Sequence, residues 1–587
     1  MRLAKRIGAV ACVVLLAPAI AFASEHEASD PTACGGLILD PLLAPSVTPR
    51  AIVFRHKSWE PRVIDPLATA QATLRVVVLG APSSVELVPR AGGANVPLTS
   101  LGADTFEITL PLADLLFGHV ATDHHNFVGY IDVFQGTTRV LRVGSFVNVR
   151  IASMPAVPVL PAAADVQVSP HVVNIRRDAP WFSTLPVDAV QRFYQLFADD
   201  TDFVALVGNV EPALNRAYSA VRNTTQGIGL PQIDTGATWG SAAALQGVIA
   251  FPIDSLFDLA EPAASHEIGH RWINHLDEQA QLALGAPHHP LSDLAYSLMG
   301  YSTPGGQGLS FPWNLIEQPS GDYLVQFQPA ATEFHDLDLY LMGLLDDQQV
   351  GQHFVFQNQN QTPANGGTLF GPVTFLDASS VIAAVGPRIP DVVTSQKHFR
   401  IVTLVLSSGR LLTETEMAFY DSIASRGSAT TELFYSSGFV NGMTKPFFLA
   451  TAGLATLETT ICPGTTALDP FGNPCVLDDD ADGVVDSADC APLDPDTYPG
   501  AAETNDGLDN QCAGEAGASQ YQIARSPSPA FPSGCVVTRT SDGFWTDTEV
   551  PPIGTAFYNL SRAVAPHTGS WGADSAGVER SGICPGA

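Results

Sequence analysis

Cysteine is confined to the two ends of this 587-residue chain, and this distribution limits how the chain can fold. At roughly 150 residues a domain, the length predicts three or four domains with sizeable hydrophobic cores. The sequence has no cysteine between Cys34 and Cys462, whereas the segment that follows is rich in them. In an oxidising compartment such crowding predicts disulfides, with neighbours in sequence as the favoured partners. The predicted pairs are Cys462–Cys475, Cys490–Cys512 and Cys535–Cys584.

The first residues have the order of a secretory signal peptide. Basic residues from Arg2 to Arg6 precede an apolar run over Ile7–Ala21, and the run ends in the small-x-small sequence Ala21–Ala23. This run is shorter than the roughly 20 apolar residues that cross a bilayer. The pattern predicts a signal peptide over residues 1–23, cleaved near Ala23, and a secreted mature protein without a transmembrane anchor.

Composition narrows the possible partners. Hydrophobic residues make up 45% of the chain and charged residues 15%, which excludes a disordered acidic polymer. The formal net charge of -31 argues against nucleic acid or an anionic lipid surface, because both require basic patches. The acidity is uneven, since residues 469–515 hold 13 acidic residues and neither Lys nor Arg.

The region 37–151 alternates short apolar runs with turn residues. This spacing predicts an antiparallel β-sandwich of the immunoglobulin or fibronectin type. Residues 152–170 are rich in Pro and Ala and are interpreted as a linker. The predicted strands are Leu74–Leu79, Val85–Val88, Phe106–Leu110, Phe127–Phe134 and Val140–Ile151.

The region 171–460 mixes helical and strand patterns and is predicted to be an α+β domain. A helix is expected over Val187–Ala198, a strand over Phe203–Val207 and a second strand over Leu245–Phe251. The second strand is expected to lie at the sheet edge, where it would align a peptide substrate. Pro262 suits the first turn of the helix that follows.

That helix carries the strongest chemical signal, the HExxH sequence from His266 to His270. Two histidines four residues apart lie on one helical face and can bind one Zn²⁺ through their imidazoles. Glu267 between them is placed to act as the base toward an attacking water molecule. Ile268, Trp272 and Ile273 are expected to supply the buried contacts of this helix.

A catalytic zinc site needs a third protein ligand as well as an open position. His275 is excluded, because five residues place it about 140° round the helix from His270, where it is expected to face solvent. The residues after the helix offer candidates at a distance that lets the chain fold back. In order of preference these are His288, His289 and Asp338, with His335 and Asp336 beside the last.

The segment Ser297–Tyr301, with Met299 at its centre, resembles the methionine turn that lies under the zinc of metzincins. Together with HEIGHRW and FHDLDLYLMGL, it makes residues 170–460 similar to a group of secreted bacterial zincin-like proteins. Ile273 and Leu276 stand where a metzincin has Gly and His. The resemblance implies a zincin-like metallopeptidase fold, with His266 and His270 as zinc ligands and Glu267 as the base. Tyr301 is a candidate for stabilising the oxyanion.

A second metal signal lies in the acidic region. Oxygen ligands at positions 1, 3, 5, 7, 9 and 12 around a glycine at position 6 match the spacing of a calcium loop. Position 12 is Asp489 rather than the usual Glu, and flanking helices are not evident, so the pattern predicts a calcium loop outside a true EF-hand. The predicted ligands are Asp478, Asp480, Asp482, the backbone of Val484, Asp486 and Asp489.

The residues around this loop, through DCAPLDPDTYPGAAETNDGLDNQC, resemble the short metal-binding modules of secreted bacterial surface proteins. The resemblance implies an irregular, disulfide-tied calcium module over 469–516. A small disulfide-tied β-domain is expected over 520–587.

Two functions follow from these patterns. The first is a secreted zinc endopeptidase that hydrolyses a protein or peptide substrate. The alternative is a calcium-stabilised surface or adhesion protein whose zincin-like domain is inactive or structural. Cys34, the cysteine left over by the predicted pairs, suggests as a minor hypothesis a thiolate that blocks the open zinc position, against a free or dimerising thiol.

Overall fold

The computed structural model divides the chain into two compact units, Met1–Asn473 and Pro474–Ala587, each described by itself. Among the described residues, no helix is long and apolar enough to cross a membrane. The described residues are 37–38, 53–68, 70–116, 124–178, 185–208, 217–251, 257–276, 288–302, 308–309, 313–327, 333–436, 441–461, 490–491, 494, 496–499, 501, 512, 520–531, 535–540, 545–565, 571–572, 580 and 583–584.

The first unit begins with a sandwich of two sheets, as the alternating pattern predicts. In the strand Gln71–Leu79, Leu74, Val76 and Val78 are buried, while the residues between them are partly or fully exposed. They share a core with Val85 and other residues of the facing sheet. The first sheet runs Leu37–Ile38, Thr138–Val149, His125–Gln135, Ser84–Pro89, Val96–Pro97, with Val63–Ile64 parallel to Thr138–Val149; the second runs Val53–Glu60, Gln71–Leu79, Thr105–Pro111, Thr99–Gly102.

The sandwich is packed against the α/β region that follows it. Phe127 and Phe146, on the outer face of the first sheet, form a buried cluster with Tyr435. Asp258 accepts a hydrogen bond from Arg426 at 2.7 Å and lies 3.7 Å from His124 of the sandwich. Both faces of the strands carrying these residues are therefore largely buried.

A mixed central sheet organises the α/β region. Its inner strands pair in parallel and are rich in buried apolar residues, as expected where both faces are covered. Alternate residues face two cores: Phe203 and Ala205 one, Val204 and Leu206 the other. The strand order is Leu160–Ala163, Val166–Val168, Val172–Arg176, His398–Ser407, Phe203–Gly208, Gly247–Phe251, Ala217–Ala220, with Thr456–Glu458 also paired to His398–Ser407.

Two expectations about this sheet are wrong. The stretch interpreted as a linker contains the strands Leu160–Ala163 and Val166–Val168, which extend the central sheet. Buried Val166 and Val168 supply the apolar contacts that the Pro- and Ala-rich composition conceals. The strand Gly247–Phe251 is internal rather than at the edge, because Ala217–Ala220 pairs with it in antiparallel register.

The helices are short; Leu112–Leu116 packs in the sandwich, and those of the α/β region lie on both sides of the central sheet. The predicted helix at 187 ends at Tyr194, and the one that begins at Pro262 ends at Gly269. The described helices are Leu112–Leu116, Val187–Tyr194, Gly236–Trp239, Pro262–Gly269, Asp336–Met342, Ala378–Val385, Glu414–Ser425 and Phe447–Ala450, with 3-10 turns at Asp293–Ala295, Asp347–Gln349 and Arg426–Ser428.

Smaller sheets surround this framework. They are Arg222–Asn223 with Ile233–Asp234, Tyr301–Ser302 with Gly308–Leu309, Trp313–Glu317 with Tyr323–Phe327 and Thr368–Leu369, His353–Phe356 with Val373–Leu376, and Leu433–Ser436 with Asn441–Thr444.

The second unit contains an antiparallel sheet of Val536–Thr540, Gln520–Ser526 and Tyr558–Ala565. Disulfides join Cys490 to Cys512 and Cys535 to Cys584, each with a Cα–Cα distance of 5.5 Å. These are two of the three pairs that the spacing predicts. Cys462, Cys475 and the predicted calcium ligands from Asp478 to Asp489 lie outside the described residues, as do Cys34 and the predicted signal peptide.

Candidate metal centre

The HExxH sequence lies at the C-terminal end of a short helix. Pro262 occupies the first turn, where its missing N–H has no helical partner to lose. His270 follows the last residue of the helix but keeps helical backbone geometry, and its N–H donates to the His266 carbonyl at 3.3 Å. The four-residue spacing therefore still places both imidazoles on one face.

His288 joins these two histidines. The Nε2 atoms of His266 and His270 are 3.1 Å apart, and the His288 ring centroid is 5.2 Å from that of His266 and 5.6 Å from that of His270. One ligand nitrogen from each ring lies within 4.8 Å of the other two, and all three residues are buried. We call His266, His270 and His288 the imidazole triad.

The donor set of the triad fits a metal ion. Two nitrogens bound tetrahedrally at about 2.0–2.1 Å from zinc would be roughly 3.3 Å apart, close to the observed 3.1 Å. The Nδ1–H of His266 donates to the Leu298 carbonyl at 2.6 Å, which leaves its Nε2 lone pair directed at the triad. Three buried imidazoles arranged in this way can hold a metal ion.

The segment that resembles a methionine turn lies directly against the helix. Gly269 has no side chain, and a Cβ there would be 2.7 Å from Met299 Sδ and 2.8 Å from the Phe334 ring. Close approach of Met299 therefore requires glycine between the two helical histidines. The same segment supplies the Leu298 carbonyl, a contact that has no signal in the sequence because every residue carries a backbone acceptor.

The other candidates for a third ligand are paired with each other. His289 Nε2 and Asp338 Oδ1 are 2.8 Å apart, and both side chains are buried. Asp338 also accepts a hydrogen bond from the His335 backbone N–H at 3.2 Å. Burial opposes ionisation of Asp338, but the adjacent His289 outweighs it and holds the pKa of the carboxyl below its usual range.

The other predicted site residues are Glu267, His275 and Tyr301, and each has a different environment. Glu267 is buried beside the two helical histidines. His275 is outside the triad, as expected, but it is partly buried rather than solvent-facing, and its Nε2 lies 2.8 Å from the His270 carbonyl oxygen. Tyr301 lies in a short strand, and its side chain is outside what the structure describes.

No protein-family model, no curated protein and no solved structure matches this chain.

Proposed function

We propose that this protein is a secreted zinc-dependent endopeptidase. The imidazole triad carries the proposal, because three buried imidazoles, together with the buried carboxylate of Glu267, are the parts that metal-assisted hydrolysis requires. The resemblance to secreted zincin-like proteins supports the same assignment.

In the proposed reaction, separate residues of the chain bind the metal ion and transfer the proton. A bound Zn²⁺ would supply Lewis-acid chemistry, lowering the pKa of a water molecule and polarising the scissile carbonyl. His266, His270 and His288 would hold the ion. Glu267 would take the proton from the attacking water and deliver it to the leaving amine. The role of Tyr301 in stabilising the oxyanion stays a prediction.

The central sheet offers a place for an extended substrate. Among the described strands, Ala217–Ala220 forms the end of this sheet and is antiparallel to its neighbour Gly247–Phe251. This strand also contacts the helix Pro262–Gly269. An extended peptide can add to a free sheet edge through main-chain hydrogen bonds. Ala217–Ala220 would therefore align the substrate, the role that the sequence predicts for the strand Gly247–Phe251.

The N-terminus and the acidic region would serve export and stability. The signal-like N-terminus would direct export, and the predicted loop from Asp478 to Asp489 would bind Ca²⁺ and stabilise the disulfide-tied second unit. The substrate would be a protein or peptide, with no nucleic acid partner.

Glu267→Gln separates catalysis from metal binding. We expect the variant to retain Zn²⁺ and to cleave a denatured protein about 10²–10⁴-fold more slowly than the wild type, since the proton acceptor is lost. Glu317→Gln, on the surface strand Trp313–Glu317, is the matched control and should cleave like the wild type.

Equal cleavage by Glu267→Gln and the wild type would refute the proposal that the protein is a peptidase. A protein that binds Zn²⁺ at the triad but cleaves nothing would favour the calcium-stabilised surface protein with a structural metal.

A further inference from the structure

A second group of metal-ligating side chains lies outside the imidazole triad. His335 Nδ1 is 2.8 Å and His353 Nε2 is 2.7 Å from the same oxygen, Oδ1 of Asp336. On its other side, His353 Nδ1 is 3.1 Å from Asp293 Oδ2. We call His335, Asp336, His353 and Asp293 the carboxylate–imidazole cluster.

Backbone contacts hold the carboxylates of this cluster in place. Asp336 Oδ2 accepts from the Gly351 N–H at 2.7 Å, and Asp293 Oδ1 accepts from the Phe354 N–H at 3.0 Å. His353 itself lies in a strand paired with Val373–Leu376. The donor atoms are therefore oriented by the fold and not only by each other.

We propose that His335, Asp336 and His353 bind a second divalent ion of the Zn²⁺ type, with Asp293 orienting His353. Two imidazole nitrogens and one carboxylate oxygen suit zinc and similar transition metals, whereas Ca²⁺ and Mg²⁺ take oxygen ligands. One ligand atom from each of the three residues lies within 4.8 Å of the others.

The surroundings of the cluster meet the other requirements of a metal site. A histidine ligand that donates its second N–H to a carboxylate is the usual arrangement, and Asp293 fills that role for His353. The His335 and Asp336 side chains are 23% and 30% exposed, while His353 is 5% exposed, so one side is open to water and to an entering ion. The two carboxylates also balance the charge of a dication.

Binding requires only a small adjustment. The donor atoms are 2.7–2.8 Å apart as hydrogen-bond partners. Ligands of a tetrahedral zinc ion are roughly 3.3 Å apart, so the ion replaces the shared protons and the donors separate by about 0.5 Å.

The location gives the ion a structural role. Asp293 belongs to the segment 288–302, which also carries His288 of the triad, whereas Asp336 begins the helix Asp336–Met342. A metal at the cluster would fasten this helix and the strand of His353 to the segment that delivers the third triad ligand.

Metal counting tests the second site. Mature protein is stripped with a chelator, equilibrated with ZnCl₂ in excess CaCl₂, dialysed and analysed by mass spectrometry for bound zinc. We expect two equivalents in the wild type and one in either Asp336→Asn or His270→Gln, which remove different sites. His171→Gln is the matched control, since this histidine pairs with Thr459 and belongs to neither group; it should keep two.

One equivalent in the wild type that Asp336→Asn retains and His270→Gln loses would overturn the proposal and leave the cluster as an ion-pair network. If Asp336→Asn does not fold, Asp293→Asn replaces it, with an expected 10–100-fold loss of zinc affinity at one site in a chelator competition. Unchanged affinity at both sites would also overturn it. Two equivalents of zinc in the wild type, with cleavage that does not depend on Glu267, would refute the peptidase proposal but leave the second metal site standing.

Discussion

The imidazole triad and the carboxylate–imidazole cluster both present imidazole nitrogens, but only the cluster adds carboxylate oxygens, and the two groups are stabilised in opposite ways. The triad is made of three buried histidines, with the fold directing His266 through a backbone carbonyl. In the cluster, His353 lies between two carboxylates. Burial alone would lower the pKa of His353, but Asp293 and Asp336 together raise it to about 9.

The two groups differ in whether their charges are balanced without a metal ion. Without an ion, the cluster satisfies its own charges as a protonated histidine between carboxylates. The triad has no carboxylate among its members and brings two imidazole nitrogens to 3.1 Å, close to the separation that one ion bound to both would give. Metal binding should accordingly be tight at the triad and weaker at the cluster.

The largest expected effect separates the two groups by activity. His270→Gln should reduce cleavage of a denatured protein to background, because the ion that polarises the carbonyl is lost along with its ligand. Zinc analysis should show one remaining equivalent, at the cluster. Cleavage that persists in His270→Gln without zinc at the triad would show that the triad is not the catalytic centre.

The next effect concerns the link between the groups. Asp338→Ala should lower the free energy of unfolding by about 3–5 kcal/mol, because it leaves His289 buried without its carboxylate. Zinc affinity at the triad should fall with it, since His289 adjoins His288. Urea unfolding and zinc titration measure both. A free energy of unfolding within about 0.5 kcal/mol of the wild type would contradict this account.

Acid sensitivity provides a test away from both groups. Burial, followed by the nearby His124, lowers the pKa of His125 to about 3, against the weaker upward effects of Asn148 and Asp258; Arg426 lowers it further. The unfolded chain binds this proton near pH 6.5, so stability is lost as the pH falls from about 6.5 toward 3.

The expected loss from His125 is on the order of 5 kcal/mol. His125→Gln should remove most of it, as measured by unfolding at successive pH values in chelator-treated protein. If the variant follows the wild-type curve, the acid sensitivity arises elsewhere.

The smallest effect tests packing beneath the triad. Gly269→Ala places a methyl group against Met299 and Phe334, and overpacking of this kind costs about 1–3 kcal/mol. Gly442→Ala, where an added Cβ meets nothing within 4 Å, is the control. A lower melting temperature is expected for Gly269→Ala only; equal shifts in the two variants would contradict the close approach of Met299.

The local parts of the site could be predicted from the sequence. His266 and His270 share a face because helical geometry alone sets the relation between residues four apart. The strands of the sandwich follow from alternation over a few residues, and two cysteine pairs follow from proximity in sequence. These are short-range relations that local geometry fixes.

Tertiary structure decided the rest. His288 and His289 are adjacent, yet one joins the triad and the other pairs with Asp338, a choice that depends on how the returning segment is oriented. Local pattern likewise did not reveal that Ala217–Ala220 covers the expected edge strand, or that His353 reaches Asp336. Each of these depends on contacts between segments far apart in sequence, and only packing of the complete sheet and its cores brings them together.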